Sequence, residues 1–315
     1  MIRGPLSEPD FKGQFSGHET FPLRHLWLRK AYDAVANNPD LGRKIFTDPD
    51  AISRFGVGKN MVASIRHWAT ACDIIFEENE TFSTTSLGDF LFGPDGADPY
   101  LEQAATIWLL HWMLAGRPAS TTTWYWGFNH YSLPSIDVEQ LTKQIVDFVE
   151  KSDRIRTSAA TLKRDAQCFI RSYANRADGR KVTDDSMEPV LAELGLLRSI
   201  SGSTYQFQRG PKPSLPDGVL NFALADFWNR FAPTQSTLSV EAISFEPGSP
   251  GRVFRLDDVS LVDRLSNIGE TSGGAFIWSD TAGLRNVSRR SAETTQGLDL
   301  LKLAYPAACS SRVEA

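Results

Sequence analysis

The sequence predicts a mainly α-helical (α+β) fold in which tandem winged-helix-like units with short β-hairpins flank a helical middle region. Three observations predict it. Residues 47–92 read as a short helix, a glycine turn, a longer helix and a hairpin. Residues 186–208 repeat a helix followed by a hairpin, and the stretch between the two is aromatic-rich with helix-like apolar spacing.

The first unit is the clearest. A helix fits Leu26 to Val35 and stops at Asn37-Asn38-Pro39. A second fits Pro49 to Phe55, with Asp48 placed to cap its start. After Gly56-Val57-Gly58, a longer helix runs from Lys59 to about Ile74. Met61, Ile65, Trp68 and Cys72 recur at three- and four-residue intervals and mark its inward face. Ile74-Ile75-Phe76 and Thr81 to Thr85, separated by a polar turn, are β-prone and form the hairpin. On the outer face of the long helix the pattern places Lys59, Asn60, Ser64, Arg66 and His67, the residues that would meet a DNA groove. The alternative is a small winged-helix packing module that contacts protein only.

Further along, Tyr100 to Leu114 reads as a buried helix. Trp124 to Tyr131 interleaves aromatics in a way that can stack nucleobases, but few cations lie near it and a core or interface role fits better. Val138 to Val149 is amphipathic. From Asp153 to Lys181 there are eight Lys/Arg against three Asp. A helix there carries Lys163, Arg164 and Arg171 outward, and with Arg154, Arg156, Arg176, Arg180 and Lys181 they form either a phosphate-contacting cluster or a solvated face. A third helix-plus-strand unit spans Asp217 to Phe231, Asp257 to Ile268 and Ala275 to Ser279. Gly210 to Pro216 and Pro247 to Gly251 read as linkers or long turns, and the tail from Ser288 as loosely packed. The expected organisation is a leader at 1–14, an N-terminal DNA-binding winged helix at 15–95, an aromatic helical region at 96–152, a basic helix with a second winged-helix-like unit at 153–210, a third such unit at 211–290 and a tail at 291–315.

Bulk properties set limits. The formal net charge of −5 is unusual for a DNA binder, so any basic face must be local. No apolar run is long enough for a membrane span, and the N-terminus lacks a signal-peptide pattern. Three dispersed cysteines, Cys72, Cys168 and Cys309, read as reduced thiols, so the expected setting is cytoplasmic. There is no HExxH, CxxC, Walker loop or GxSxG, which removes the commonest metalloprotease, zinc-finger, NTPase and hydrolase readings.

The densest chemistry is Phe15-Ser16-Gly17-His18-Glu19-Thr20-Phe21-Pro22-Leu23-Arg24. These residue types could cleave a phosphodiester: His18 as general acid or base, Glu19 holding a divalent cation, Arg24 offsetting developing charge. They could also be structural, with Ser16 and Thr20 capping the next helix and His18 and Glu19 satisfying buried polar groups.

That decapeptide, with Trp27, Lys30 and Tyr32-Asp33-Ala34-Val35 behind it, resembles the N-terminal signature of a bacterial family of unknown-function domains, the SspB-type DNA nickases of Ssp phosphorothioation systems. The runs Phe55-Gly56-Val57-Gly58-Lys59-Asn60-Met61-Val62, Thr161-Leu162-Lys163-Arg164-Asp165 and Glu193-Leu194-Gly195-Leu196 resemble it too, so the likeness spans about residues 15–290. The resemblance implies an Mg2+-dependent nickase that opens one strand of double-stranded DNA for sulfur incorporation in anti-phage defence. It also implies partners from the same operon, a cysteine desulfurase and ATP-using proteins. Family members stand beside other defence genes as well, which leaves open a non-catalytic DNA-binding or recruitment subunit, or a winged-helix protein-interaction scaffold. The choice of His18, Glu19 and Arg24 as catalytic rests on residue chemistry alone.

Overall fold

The first unit forms the short helix, glycine turn, longer helix and hairpin that its sequence pattern predicts, with small shifts in a helix start and in one inward position. The structure, a computed structural model, describes residues 3–152, 154–174, 189–290 and 297–305. Helix α1 (Trp27–Ala36) leads through a 3-10 turn to α2 (Lys44–Thr47), α3 (Ala51–Phe55) and α4 (Lys59–Ala71). The strands β1 (Ile75–Glu78) and β2 (Thr81–Thr84) follow, then α5 (Ser86–Phe92). The Asp48 carboxylate accepts the Asp50 N–H at 2.8 Å, so the cap acts ahead of α3 and the helix proper starts later than expected. At the hairpin tip Asn79 and Glu80 both adopt positive φ, the backbone of a tight two-residue turn whose twist matches the paired strands. Ile65, Trp68 and Cys72 are fully buried and Met61 only partly, because Val62 takes its inward place. Burying each large apolar side chain contributes about 1.5–3 kcal/mol.

The middle region is the aromatic core. Helix α6 (Ala104–Ala115) is buried on every side from Ala105 onward, and every residue of α7 (Thr122–Asn129) is buried. The aromatics of α7 are therefore core, not a base-stacking platform. Around them pack α8 (Val138–Glu150) and α9 (Ala159–Tyr173), both amphipathic and both capped by a side chain, Asp137 and Ser158 respectively. The helix expected from Ser186 begins outside the described residues, and Val190–Leu194 is a 3-10 helix. Strands β3 (Leu197–Ser201) and β4 (Thr204–Phe207) then form the second hairpin, tied to the middle region by Ile136 and Tyr205, which exchange backbone bonds at 2.8 Å.

The C-terminal unit is the most complete winged helix. It runs α10 (Asp217–Phe231), β5 (Thr237–Ser239), α11 (Val240–Phe245), α12 (Pro250–Val253), α13 (Asp258–Ser266), α14 (Ile268–Thr271), β6 (Phe276–Thr281) and β7 (Leu284–Arg289). The sheet order β5-β7-β6 lets the wing strands pair with a strand from before the central helices. Two expectations are sharpened. Pro247 to Gly251 is a turn leading into α12 and not a linker: Ser249 and Pro250 are buried, and the Gly248 N–H donates to Asn129 Oδ1 at 2.7 Å. Nor is the tail loose from Ser288, which lies in β7. Helix α15 (Gly297–Lys302) buries Leu300 and Leu301 against α10, where Gly218 permits an approach that any Cβ would obstruct.

Cys72 and Cys168 are buried free thiols, and Cys309 lies outside the described residues. No described helix is long and apolar enough to cross a membrane.

Candidate functional site

The segment Phe15–Arg24 crosses the junction of α4, α7 and α9 in a backbone that few sequences adopt. Ser16, Gly17, Glu19 and Thr20 all have positive φ. Each such non-glycine residue costs on the order of 1–3 kcal/mol and persists only where its surroundings over-determine it. Here they do. His18 is buried beneath the loop, where the Thr20 N–H donates to its Nδ1 at 3.0 Å. That fixes Nε2 as the ring's donor, and it bonds Asp165 Oδ1 on α9 at 2.5 Å. The same carboxylate oxygen accepts the Ser16 N–H at 3.0 Å. From α4, Ser64 Oγ donates to the His18 carbonyl and Trp68 Nε1 to the Phe21 carbonyl, each at 3.0 Å. From α9, Arg171 donates to the Thr20 carbonyl at 2.6 Å. The imidazole stacks on Trp68 at 5.9 Å and packs against Trp124.

This geometry separates the three residues that chemistry had grouped. His18 points inward with both nitrogens engaged. Glu19 is exposed, and Arg24 stacks over Phe21 and Trp27, its guanidinium 5.7 and 5.3 Å from the two ring centres. Neither Ser16 nor Thr20 caps α1, whose first turn has no side-chain cap. Among the described residues no group of three His, Cys, Asp or Glu side chains is arranged to hold a metal ion. Asp165, the residue that organises His18, was missed in the sequence. It had left one signal, a carboxylate on the apolar face of α9 between Leu162 and Phe169.

Of the five residues assigned to the outer face of α4, Lys59 and Asn60 are exposed and Arg66 is half-exposed. Ser64 is corrected: it is fully buried, because the Phe15–Arg24 loop covers that side of the helix. His67 sits under the same loop. A Cβ on Gly17 would lie 2.6 Å from its Nδ1, and its Nε2 is buried without a partner. Burial, helped by the nearby His18 and Arg66, pushes the His67 imidazole down to about 3. The free stripe of α4 is thus Lys59, Ala63, Arg66 and Thr70. On α9, Lys163, Arg164 and Arg171 all face outward as expected. Lys163 pairs with Glu139 at 2.6 Å, and Arg171 is engaged by the loop. Arg154 and Arg156 are exposed; Arg176, Arg180 and Lys181 lie outside the described residues. The matching helix of the C-terminal unit, α13, is capped by Asp257 and carries Asp258 and Asp263 with its single Arg264, a charge that suits phosphate poorly.

The whole fold, a mainly helical chain with short antiparallel hairpins around a buried aromatic middle, is shared with proteins of known structure. The chain belongs to the DUF4007 family, described as a protein of unknown function, which matches residues 15–305. Its structure is similar to a crystal structure of magnesium ion-bound SspB, with TM-score 0.84 and 27% identity over 99% of this chain and 93% of that one. A second SspB crystal structure gives TM-score 0.82 and 30% identity over 95% of this chain and 90% of that one. No curated protein matches the chain.

Proposed function

We propose that this protein is the DNA-engaging, strand-nicking component of a bacterial Ssp phosphorothioation system, working in the cytoplasm beside a cysteine desulfurase and ATP-using proteins. The observation that carries this reading is the SspB-like fold over nearly the entire chain. The α4 stripe supports it. Lys59 and Arg66 lie on the outer side of a helix held by the glycine turn in the groove-reading position of a winged helix. Lys59 and Asn60 also stand at the helix N-terminus, where free backbone N–H groups favour a phosphate. Arg164, Arg154 and Arg156 would extend the contact along the backbone.

The SspB crystal structure that contains magnesium raises the question whether a resident ion fits here. The residues of the loop do not fit one. Mg2+ takes near-octahedral oxygen donors, usually one or two carboxylates with water and phosphate. Glu19 offers one exposed carboxylate, and Asp165 is spent on His18 and Ser16. A second reading, a non-catalytic subunit that delivers DNA to partner enzymes, is favoured by His18, whose nitrogens are both committed.

Supercoiled plasmid incubated with the purified protein, in Mg2+ or in EDTA, separates the readings. Open-circle product that is lost in Glu19→Gln, an exposed substitution that leaves the fold intact, supports nicking at this loop. Salt-dependent binding without open circles supports the delivery reading. No salt-dependent binding overturns both.

A further inference from the structure

A second concentration of positive charge forms around residues 127–130 of the aromatic middle, brought there from segments far away in the sequence. Around the C-terminal end of α7 the fold gathers Arg252 and Arg255, with Arg209 and Arg3 at its rim. Arg255 donates to the Gly127 carbonyl at 2.8 Å, and its guanidinium lies 3.9 Å from the Phe207 ring centre and 5.5 Å from that of Phe128. Its Nε is buried with no hydrogen-bond partner. Arg252 donates to the Asn129 carbonyl at 2.7 Å and to the Phe245 carbonyl at 2.5 Å. His130, next in the chain, has a buried and unpartnered Nε2. At the rim, Arg209 reaches Asp258 at 2.9 Å and Arg3 reaches Glu246 at 4.0 Å. Among the described residues no carboxylate pairs with Arg252 or Arg255.

The charges press on one another. Burial, then Arg252 and Arg209, push Arg255 down to about 9. Burial, then Arg252 and Arg3, push His130 down to about 4. Glu246, shared with Arg3 at the rim, offsets part of the charge on Arg252, whereas Arg255, a half-buried guanidinium with neighbouring cations and no counter-ion, is unfavourable in the isolated protein. The carbonyls of α7 explain how these side chains are held, since cations suit a helix C-terminus. They use one N–H of Arg255 and leave the rest of its fork unspent. Stacking on Phe207 keeps that fork rigid, which is the preparation that bidentate binding of a phosphate requires.

We propose that the Arg252–Arg255 cluster binds a backbone phosphate of the nucleic acid, as a second contact surface beside the α4 stripe. This rests on the reading of the protein as a DNA binder. It also answers the puzzle of the net charge of −5, because affinity depends on where cations are placed and not on their sum.

The test is fluorescence anisotropy of a labelled 30-base-pair duplex against wild type, Arg252→Gln, Arg255→Gln and a Lys59→Ala/Arg66→Ala control, each across a series of salt concentrations. Arg252→Gln and Arg255→Gln should each weaken binding by about tenfold and lower the slope of log K against log salt by about one. The DNA-free melting temperature of Arg255→Gln should hold or rise, since removing an uncompensated cation relieves repulsion, whereas a purely structural arginine would lower it. Should Arg255→Gln fail to fold, the less enclosed Arg252→Gln decides. Unchanged affinity and slope in folded Arg252→Gln overturns the proposal. So does a melting shift by inorganic phosphate that Arg252→Gln abolishes while DNA affinity stays intact, which would make the occupant a small free anion. If wild type binds no duplex, the functional reading itself fails. If only the α4 control loses binding, that reading stands and this inference falls.

Discussion

His18 donates its Nε2–H to Asp165 Oδ1 at 2.5 Å across 147 residues of sequence, and both side chains are almost wholly buried. The bond joins the N-terminal loop to α9, and the loop's left-handed residues depend on it. Breaking a buried pair from one side leaves the other group uncompensated, at a cost of about 3–5 kcal/mol. Asp165→Ala and His18→Ala should each lose stability on that scale. The double variant should lose far less than the sum. A double-mutant cycle in urea that gives a coupling under about 0.5 kcal/mol would show that the pair is not the fastener.

Gly17 is the loop's second fixed point. Its φ is +99°, and a Cβ there would lie 2.6 Å from His67 Nδ1. Gly17→Ala should therefore destabilise by about 2 kcal/mol, from backbone strain together with displacement of the imidazole. The urea midpoint measures it, and an unshifted midpoint contradicts the close packing described.

The two sides of α4 should respond in opposite ways. Ser64→Ala removes a buried hydrogen bond to the His18 carbonyl and should cost about 1 kcal/mol in stability while leaving DNA affinity alone. Lys59→Ala with Arg66→Ala should leave the melting temperature unchanged and reduce the salt slope of DNA binding by about two. Loss of DNA binding in Ser64→Ala without loss of stability would reverse the assignment of the two faces.

His111 gives a pH signature. Tyr173 and the Val253 carbonyl hold its ring at 2.8 Å each, and burial pushes it down to about 3. An unfolded histidine titrates near 6.5. Its stability contribution is therefore complete above pH 6.5 and is lost as pH falls from there toward 3, by up to about 1.4 kcal/mol per pH unit. Urea unfolding at pH 7, 6 and 5 should show a shallower decline in His111→Gln than in wild type. Parallel curves would mean that the native ring accepts a proton freely.

Most of the secondary structure was legible because local physics writes it locally. The apolar spacing of α4, α8 and α9 marks helices whether or not a neighbour is known. Asn79 and Glu80 between two β-prone segments make a hairpin by themselves. The motif Phe15–Arg24 stood out by composition. What its residues do was not legible, since a histidine beside a glutamate reads the same whether it serves chemistry or holds a loop.

The sequence by itself determined the long helices and the first two hairpins, their order, the aromatic middle and the dense loop at 15–24. Only the tertiary structure decided which polar residues face inward. Periodicity reports that a helix has an apolar face, but it cannot say what covers the remaining sides. Ser64 is buried and His67 half-buried because the His18 loop happens to cross α4 there. His18 is turned away from solvent because Asp165 awaits it on α9, and Arg255 meets Phe207 and Gly127 only through packing of distant segments. A buried polar group must find its partner in space, and partners on segments far apart in the chain leave no local spacing from which the pairing could be read.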